Sequence, residues 1–254
     1  EGYIPIGTVS KQYSLIQHAE VFEAIIAAGK RLDLDFAKQP VEITLSHYGE
    51  RMRAAWQLPG YDFDPGDGKP IVLVVAVTNS VDKSCALEIQ LEWLRLVCKN
   101  GMMFGLKERN LYHKHVAGLD PAGIAGFVSN ELGRVPKERQ IYQTWFKEKV
   151  SLDQLFRWAD DVISSDWGAL AAARVVNIAK TGYDGEFLRP FDKRKPSEKE
   201  MKPTVEVPGA CAPIENKFHA SQVLSWVAKE RNSLQDQVQK LYDIPTLISR
   251  LNDD

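Results

Sequence analysis

The spacing of hydrophobic positions changes twice along this chain, and the changes outline its elements. Leu15, Ala19, Phe22, Ile25, Ile26, Gly29 and Leu32 recur every three or four residues, the repeat that gathers apolar groups on one side of a helix. Ser14 with Gln17 reads as a capping box, so a helix is expected over 14–30, with Gly29 inside it or at its end. From Pro40 the period falls to two. Val41, Ile43 and Leu45 alternate with Glu42 and Thr44. Met52, Ala54, Trp56 and Leu58 alternate with Arg51, Arg53, Ala55 and Gln57. Both patterns predict half-buried strands, the second with two arginines on its open face. Pro, Gly and Asp make 58–70 a loop. A continuous apolar run predicts a buried strand over 71–77, 79–82 reads as a turn, and alternation resumes over 84–93. Leu94, Leu96 and Cys98 then follow the opposite parity, which a bulge near Leu94 explains. A turn at Asn100-Gly101 and an extended segment to Val116 complete this half.

Beyond it the helical period returns. Asp120-Pro121 pairs an N-cap residue with proline at the first helical position. Helices are expected over 121–132, 136–148 and 151–179, the last broken near 164–166, and over 218–242, with a short one after Pro245. Five prolines and no period mark 181–214 as a long loop or linker. The expected fold class is α+β: an N-terminal helix, an antiparallel meander of four to five strands, and a mostly helical C-terminal half. The expected parts are 1–118 (helix plus sheet), 119–180 (helices packed on it), 181–214 (linker) and 215–254 (C-terminal helices).

Composition narrows the function more than the fold. With 254 residues, 44% apolar and 26% charged, the chain buries a core without metal or disulfide, and disorder and collagen are excluded. The 32 basic and 34 acidic residues give a net charge of −2, which excludes a histone-like global field but not a local basic patch. Cys85, Cys98 and Cys211 are too few and too scattered for a disulfide framework or a cysteine-based zinc site. An odd cysteine count reads as a reduced, cytoplasmic protein. No apolar run approaches the ~18–20 residues that span a bilayer, so no membrane association is expected.

Phosphate-loop, serine-elbow, H-E-x-x-H and C-x-x-C motifs are absent, so no catalytic set, metal or cofactor is expected. His113 and His115 would share a strand face but have no third ligand close in sequence, and read as surface histidines. Asp62, Asp64 and Asp67 read as a solvated turn ahead of a divalent-ion site. The positive signal is local charge. Arg95, Lys99, Lys107, Arg109 and Lys114 stand against Glu108 alone, Phe104 and Tyr112 are interleaved, and Arg51 and Arg53 add to them from the strand face. Cations that neutralise phosphates beside rings that stack on bases suit a single strand. Duplex readout would call for a recognition helix, and none stands out. Arg95 stays open between a phosphate contact and a buried ion-pair partner. Cys98 reads as a small core residue.

The run from Asn79-Ser80 to Arg95, Val97, Cys98, Asn100 and Gly101, an "N-S" strand end followed by "R-x-V-C-x-N-G", resembles the phage- and plasmid-associated family called domain of unknown function 932. LYHKHVAG, NKFHASQVLSWVAKERNSLQDQ and Val9–Tyr13 also fit, over roughly residues 40–245. The resemblance implies a mobile-element setting and carries over no catalytic residue. The order of helix, meander and helices also looks like the core of phage single-strand annealing proteins, an analogy of fold alone. The expected function is a single-stranded DNA-binding, strand-annealing or recombination protein, homo-oligomeric and cofactor-free. The alternative is a non-enzymatic protein-binding factor of a mobile element, an anti-defence inhibitor or replication accessory, favoured if Trp145, Trp158 or Trp167 is exposed.

Overall fold

A computed structural model describes residues 14–95, 100–102, 111–113, 119–187, 201–229 and 234–252, with residues 8 and 11 besides. The chain forms two compact units. One comprises Glu1–Phe63, Val72–Trp93 and Leu106–Pro136; the other comprises Asp64–Ile71, Leu94–Gly105 and Lys137–Asp254. Each unit is thus built from three separate pieces of chain.

In the first unit, α1 (His18–Arg31) begins one turn later than Ser14 suggests, because Gln17 is the cap. Its side chain and that of Glu20 form a reciprocal capping box, with Gln17 N–H donating to Glu20 Oε2 at 3.2 Å. The buried stripe is Val21, Ala24, Ile25, Ala28 and Gly29. Phe22 lies beside it, edge-on to Trp56 with ring centroids 4.9 Å apart. An antiparallel meander follows: β1 (Val41–Leu45), β2 (Arg51–Gln57), β3 (Ile71–Ser80) and β4 (Leu87–Arg95), in the spatial order β1-β2-β3-β4.

Burial differs across this sheet. All ten residues of β3 are buried, as its apolar run predicts. In β2 the buried Met52, Ala54 and Trp56 alternate with the open Arg51 and Arg53. β1 departs from its pattern, for it is an edge strand exposed on both faces, and Ile43 and Leu45 are 49% and 56% exposed. β3 runs on through Asn79 and Ser80, the first half of the expected turn at 79–82, because its polar end is hydrogen-bonded. Asn79 Nδ2 donates to Ile16 O at 3.1 Å and meets His18 Nδ1 at 2.9 Å, and Ser80 Oγ donates to Cys85 O at 2.7 Å. Gln90 and Glu92 on the even-numbered face of β4, polar by sequence, are buried too: Gln90 donates to Glu92 at 2.7 Å, and Glu92 pairs with Arg53.

β6 (Leu111–His113) pairs antiparallel with β4, and α2 (Pro121–Leu132) packs on α1. Asp120 caps α2 as expected, its two carboxylate oxygens accepting from Ala122 and Gly123 N–H at 2.9 and 3.0 Å. The expected bulge at 94–98 lies mostly outside the described residues.

The second unit is chiefly helical. It contains β5 (Asn100–Met102), most of α3 (Val135–Lys147), α4 (Leu152–Trp158), α5 (Ser164–Trp167), α6 (Ala169–Thr181), α7 (Lys217–Lys229) and α8 (Leu234–Ser249). β5 runs through Asn100-Gly101, where a turn was expected. The helix starting after Ser151 continues through a π-helical turn at Ala159–Ile163. It breaks at Gly168, whose φ of 93° suits glycine, rather than at 164–166. Inside the stretch expected as a linker, β7 (Tyr183–Phe187) and β8 (Met201–Glu206) pair antiparallel. Pro245 sits within α8 instead of heading a new helix. Trp145, Trp158 and Trp167 are buried, and Trp158 Nε1 donates to Leu247 O at 3.0 Å.

Candidate functional site

The basic set falls into three groups. Arg51 and Arg53 lie on one face of β2. Arg51 is exposed at its start, opposite Ser80 of β3, and its Nε donates to Ser84 Oγ in the turn that leads to β4. Arg53 is tied to the buried Glu92 and keeps 26% of its side-chain exposure. In the β6–β4 ladder His113 faces Leu87 and Tyr112 faces Glu88. The register thus brings Arg51 and the backbone of His113 to the same end of one sheet. Lys99, Phe104, Lys107, Arg109 and Lys114 lie outside the described residues, as does His115; Tyr112 and His113 are described by their backbone alone.

Arg95 has a different role. Its side chain is 1% exposed, and Nη2 pairs with Asp67 Oδ2. Its guanidinium lies 5.3 Å from the centroid of the Phe218 ring. Of the two readings that the sequence leaves open, the structure has the buried ion pair, so this arginine is not a surface contact for phosphate.

Asp67 owes its position to its loop. Asp64 Oδ1 accepts the N–H groups of Gly66, Asp67 and Gly68 at 2.8, 3.0 and 3.1 Å, curling the loop around one carboxylate. Gly66 has φ +135°, and a Cβ there would stand 2.7 Å from Phe146 of α3; only glycine fits both demands. Asp64 is therefore spent on the turn, while Asp67 turns inward.

Two residues that the sequence did not single out meet Asp67 there. Cys211 comes from the loop after β8, and His219 from the first turn of α7, which Asn216 caps by accepting the His219 N–H at 2.9 Å. A carboxylate oxygen of Asp67, Sγ of Cys211 and a ring nitrogen of His219 all lie within 4.8 Å of one another. The Phe146 ring stands edge-on to His219, centroids 5.7 Å apart, and Tyr142 and Phe146 both stand edge-on to Phe218. Burial pushes the His219 imidazole below its ordinary pKa; Asp67 opposes the shift and Arg95 adds to it. Burial, with the charge of Glu138, drives the Tyr142 phenol well upward. The result is a cluster of a carboxylate, a thiol and a neutral imidazole, with an arginine behind the carboxylate and aromatic rings alongside. Nothing in the sequence linked Cys211 to Asp67. His219 carried only the NKFHASQ segment as a signal.

The family described as Domain of unknown function (DUF932) matches residues 5–205. The chain belongs to that family. The match starts earlier and ends earlier than the resemblance over 40–245 implied. Asp67 and Arg95 lie inside it, and Cys211 and His219 lie beyond its end. No curated protein and no solved structure matches the chain. Among the described residues no helix is long and apolar enough to cross a membrane.

Proposed function

We propose that this DUF932 protein binds single-stranded DNA and promotes annealing of complementary strands as a self-associating assembly. The observation that most supports this reading is the pairing register, which sets the start of β2, with Arg51, at the same sheet end as β6. Lys114 follows β6 directly, and Lys107 and Arg109 precede it. Backbone-tracking cations beside an aromatic residue are what a single strand needs, and annealing requires no cofactor chemistry. Self-association is supported by β1, an edge strand among the described residues, with exposed Val41, Ile43 and Leu45, which a second copy can extend. The alternative of a protein-binding factor loses its particular support, because Trp145, Trp158 and Trp167 are core residues.

The test is a fluorescence-anisotropy titration of a labelled single strand and of a matched duplex at low and moderate salt. Single-strand preference that weakens steeply with salt is expected. The variant Lys107→Gln/Arg109→Gln/Lys114→Gln is expected to bind more weakly and to lower the salt slope by about 2, since each phosphate contact contributes about 0.7 to it. Absence of binding to either strand at low salt would overturn the proposal; unchanged affinity in the triple variant would remove these residues from it.

A further inference from the structure

The second unit holds a grouping of side chains that the single-strand reading does not use. Cysteine, histidine and aspartate are the residue types that hold zinc, and the ligand atoms of Asp67, Cys211 and His219 lie within 4.8 Å of one another. Proximity alone is weak, since polar side chains often cluster to hydrogen-bond one another. Here they do not. The side-chain hydrogen bonds of Asp67 run to Arg95 and to Lys69 N–H, at 3.1 Å for the latter. Among the described residues the one hydrogen bond to the His219 ring is long, from Glu215 N–H to Nδ1 at 3.4 Å.

The second observation is independent. His219 is 7% exposed, and its Nε2 is buried with no hydrogen-bond partner. Leaving a buried polar atom unpaired is costly, and such an atom in a native fold calls for a ligand, a water or an ion. Asp67 retains ligand capacity despite its two bonds, because each carboxylate oxygen has two lone pairs. Arg95 holds Oδ2, the place of an outer-shell partner that orients a ligating carboxylate. Cys211 is only partly buried, which leaves an approach for an ion.

We propose that Asp67, Cys211 and His219 form a zinc site in the second unit, with His219 ligating through Nε2, Cys211 as thiolate and Asp67 through one oxygen. Sulfur, nitrogen and oxygen together select zinc over magnesium or calcium, which require oxygen ligands. Binding releases the Cys211 proton to solvent. The His219 ring proton resides on Nδ1, so the 3.4 Å Glu215 contact is the bond given up. Three protein ligands leave the fourth tetrahedral position to water. The site ties together the loop that carries Asp67, the loop after β8 and the first turn of α7, pieces remote in sequence.

The experiment uses the full chain, stripped with a chelator and titrated with Co²⁺ and then Zn²⁺. The expected result is one Co²⁺ per chain, a thiolate-to-cobalt charge-transfer band with tetrahedral d–d bands, and displacement of both by Zn²⁺. Cys211→Ser is expected to remove the charge-transfer band. His219→Gln is expected to weaken Zn²⁺ binding by at least the ~10–100-fold that follows loss of a mere outer-shell partner. Cys85→Ser, in the other unit, is the control that leaves both signals unchanged. Circular dichroism of each variant separates loss of a ligand from loss of fold. The proposal is overturned if folded wild-type protein yields no charge-transfer band, or if Cys211→Ser and His219→Gln bind Zn²⁺ as wild type does. Neither outcome bears on single-strand binding, which the anisotropy titration reads separately.

Discussion

At the scale of single residues, the Arg95–Asp67 pair is the most demanding feature. Two side chains only 1% and 9% exposed carry opposite charges. Such pairs are weak sources of net stability, but removing one partner strands the other charge away from water. In metal-free protein Asp67→Asn is expected to destabilise by about 3–5 kcal/mol, read as a lower urea midpoint with an unchanged slope. The double variant Asp67→Leu/Arg95→Met is expected to recover most of that loss, because no charge is left buried. Equal losses in the single and double variants would show that packing, not charge, sets the cost. Arg95 also shows why this site was hard to read in the sequence. Arginine on an alternating strand is an ordinary surface residue, and its partner sits in a loop whose Pro, Gly and Asp content signals solvent. The Phe218 ring that the Arg95 guanidinium faces is contributed by a helix far along the chain, and no local pattern encodes that.

At the scale of elements, local signals worked where local chemistry decides. Asp120-Pro121 and Ser151 with Gln154 start helices as their side chains dictate. Gly182, with φ +80°, ends α6. Signals failed where packing decides. Asn79 and Ser80 resemble turn residues, yet buried partners keep them in β3. β1 alternates like a half-buried strand, yet all five of its residues are exposed.

The joint between α6, β7 and α7 was equally invisible. Arg174 Nε and Nη2 reach the two carboxylate oxygens of Asp184, and Trp226 Nε1 donates to Asp184 Oδ2 at 2.9 Å. Burial raises the Asp184 pKa, but these bonds and the Gly185 N–H outweigh it, so the net shift is downward. A carboxyl held low when folded stabilises the protein above the ordinary carboxylate pKa, and that contribution disappears as pH falls below it. Asp184→Asn is therefore expected to lose about 1.5–3 kcal/mol near neutral pH. It is also expected to show a shallower decline than wild type between about pH 5 and pH 2, in urea titrations across that range.

At the scale of the whole molecule, the open questions are assembly and the order in which the pieces meet. If β1 pairs with a second copy, a charge in its middle must disrupt the pairing. Ile43→Lys is expected to shift the protein toward monomer in light scattering coupled to size exclusion, with little change in thermal stability, because Ile43 is already 49% exposed. An unchanged molar mass for a self-associating wild type would place the contact elsewhere. The fold class was legible because helix and strand periods survive in any packing. The units were not, because each is assembled from pieces that alternate along the chain.

That alternation has a consequence during synthesis. A chain emerges from its N-terminus, so Asp67 and Arg95 leave the ribosome well before Cys211, Phe218 and His219. At about 5–20 residues per second the delay from Arg95 to His219 is roughly 6–25 s. Throughout that interval the arginine and aspartate are in water, with neither ring nor imidazole to enclose them. The second unit therefore closes only after His219 has emerged, on contacts of long sequence separation, whose formation is intrinsically slow.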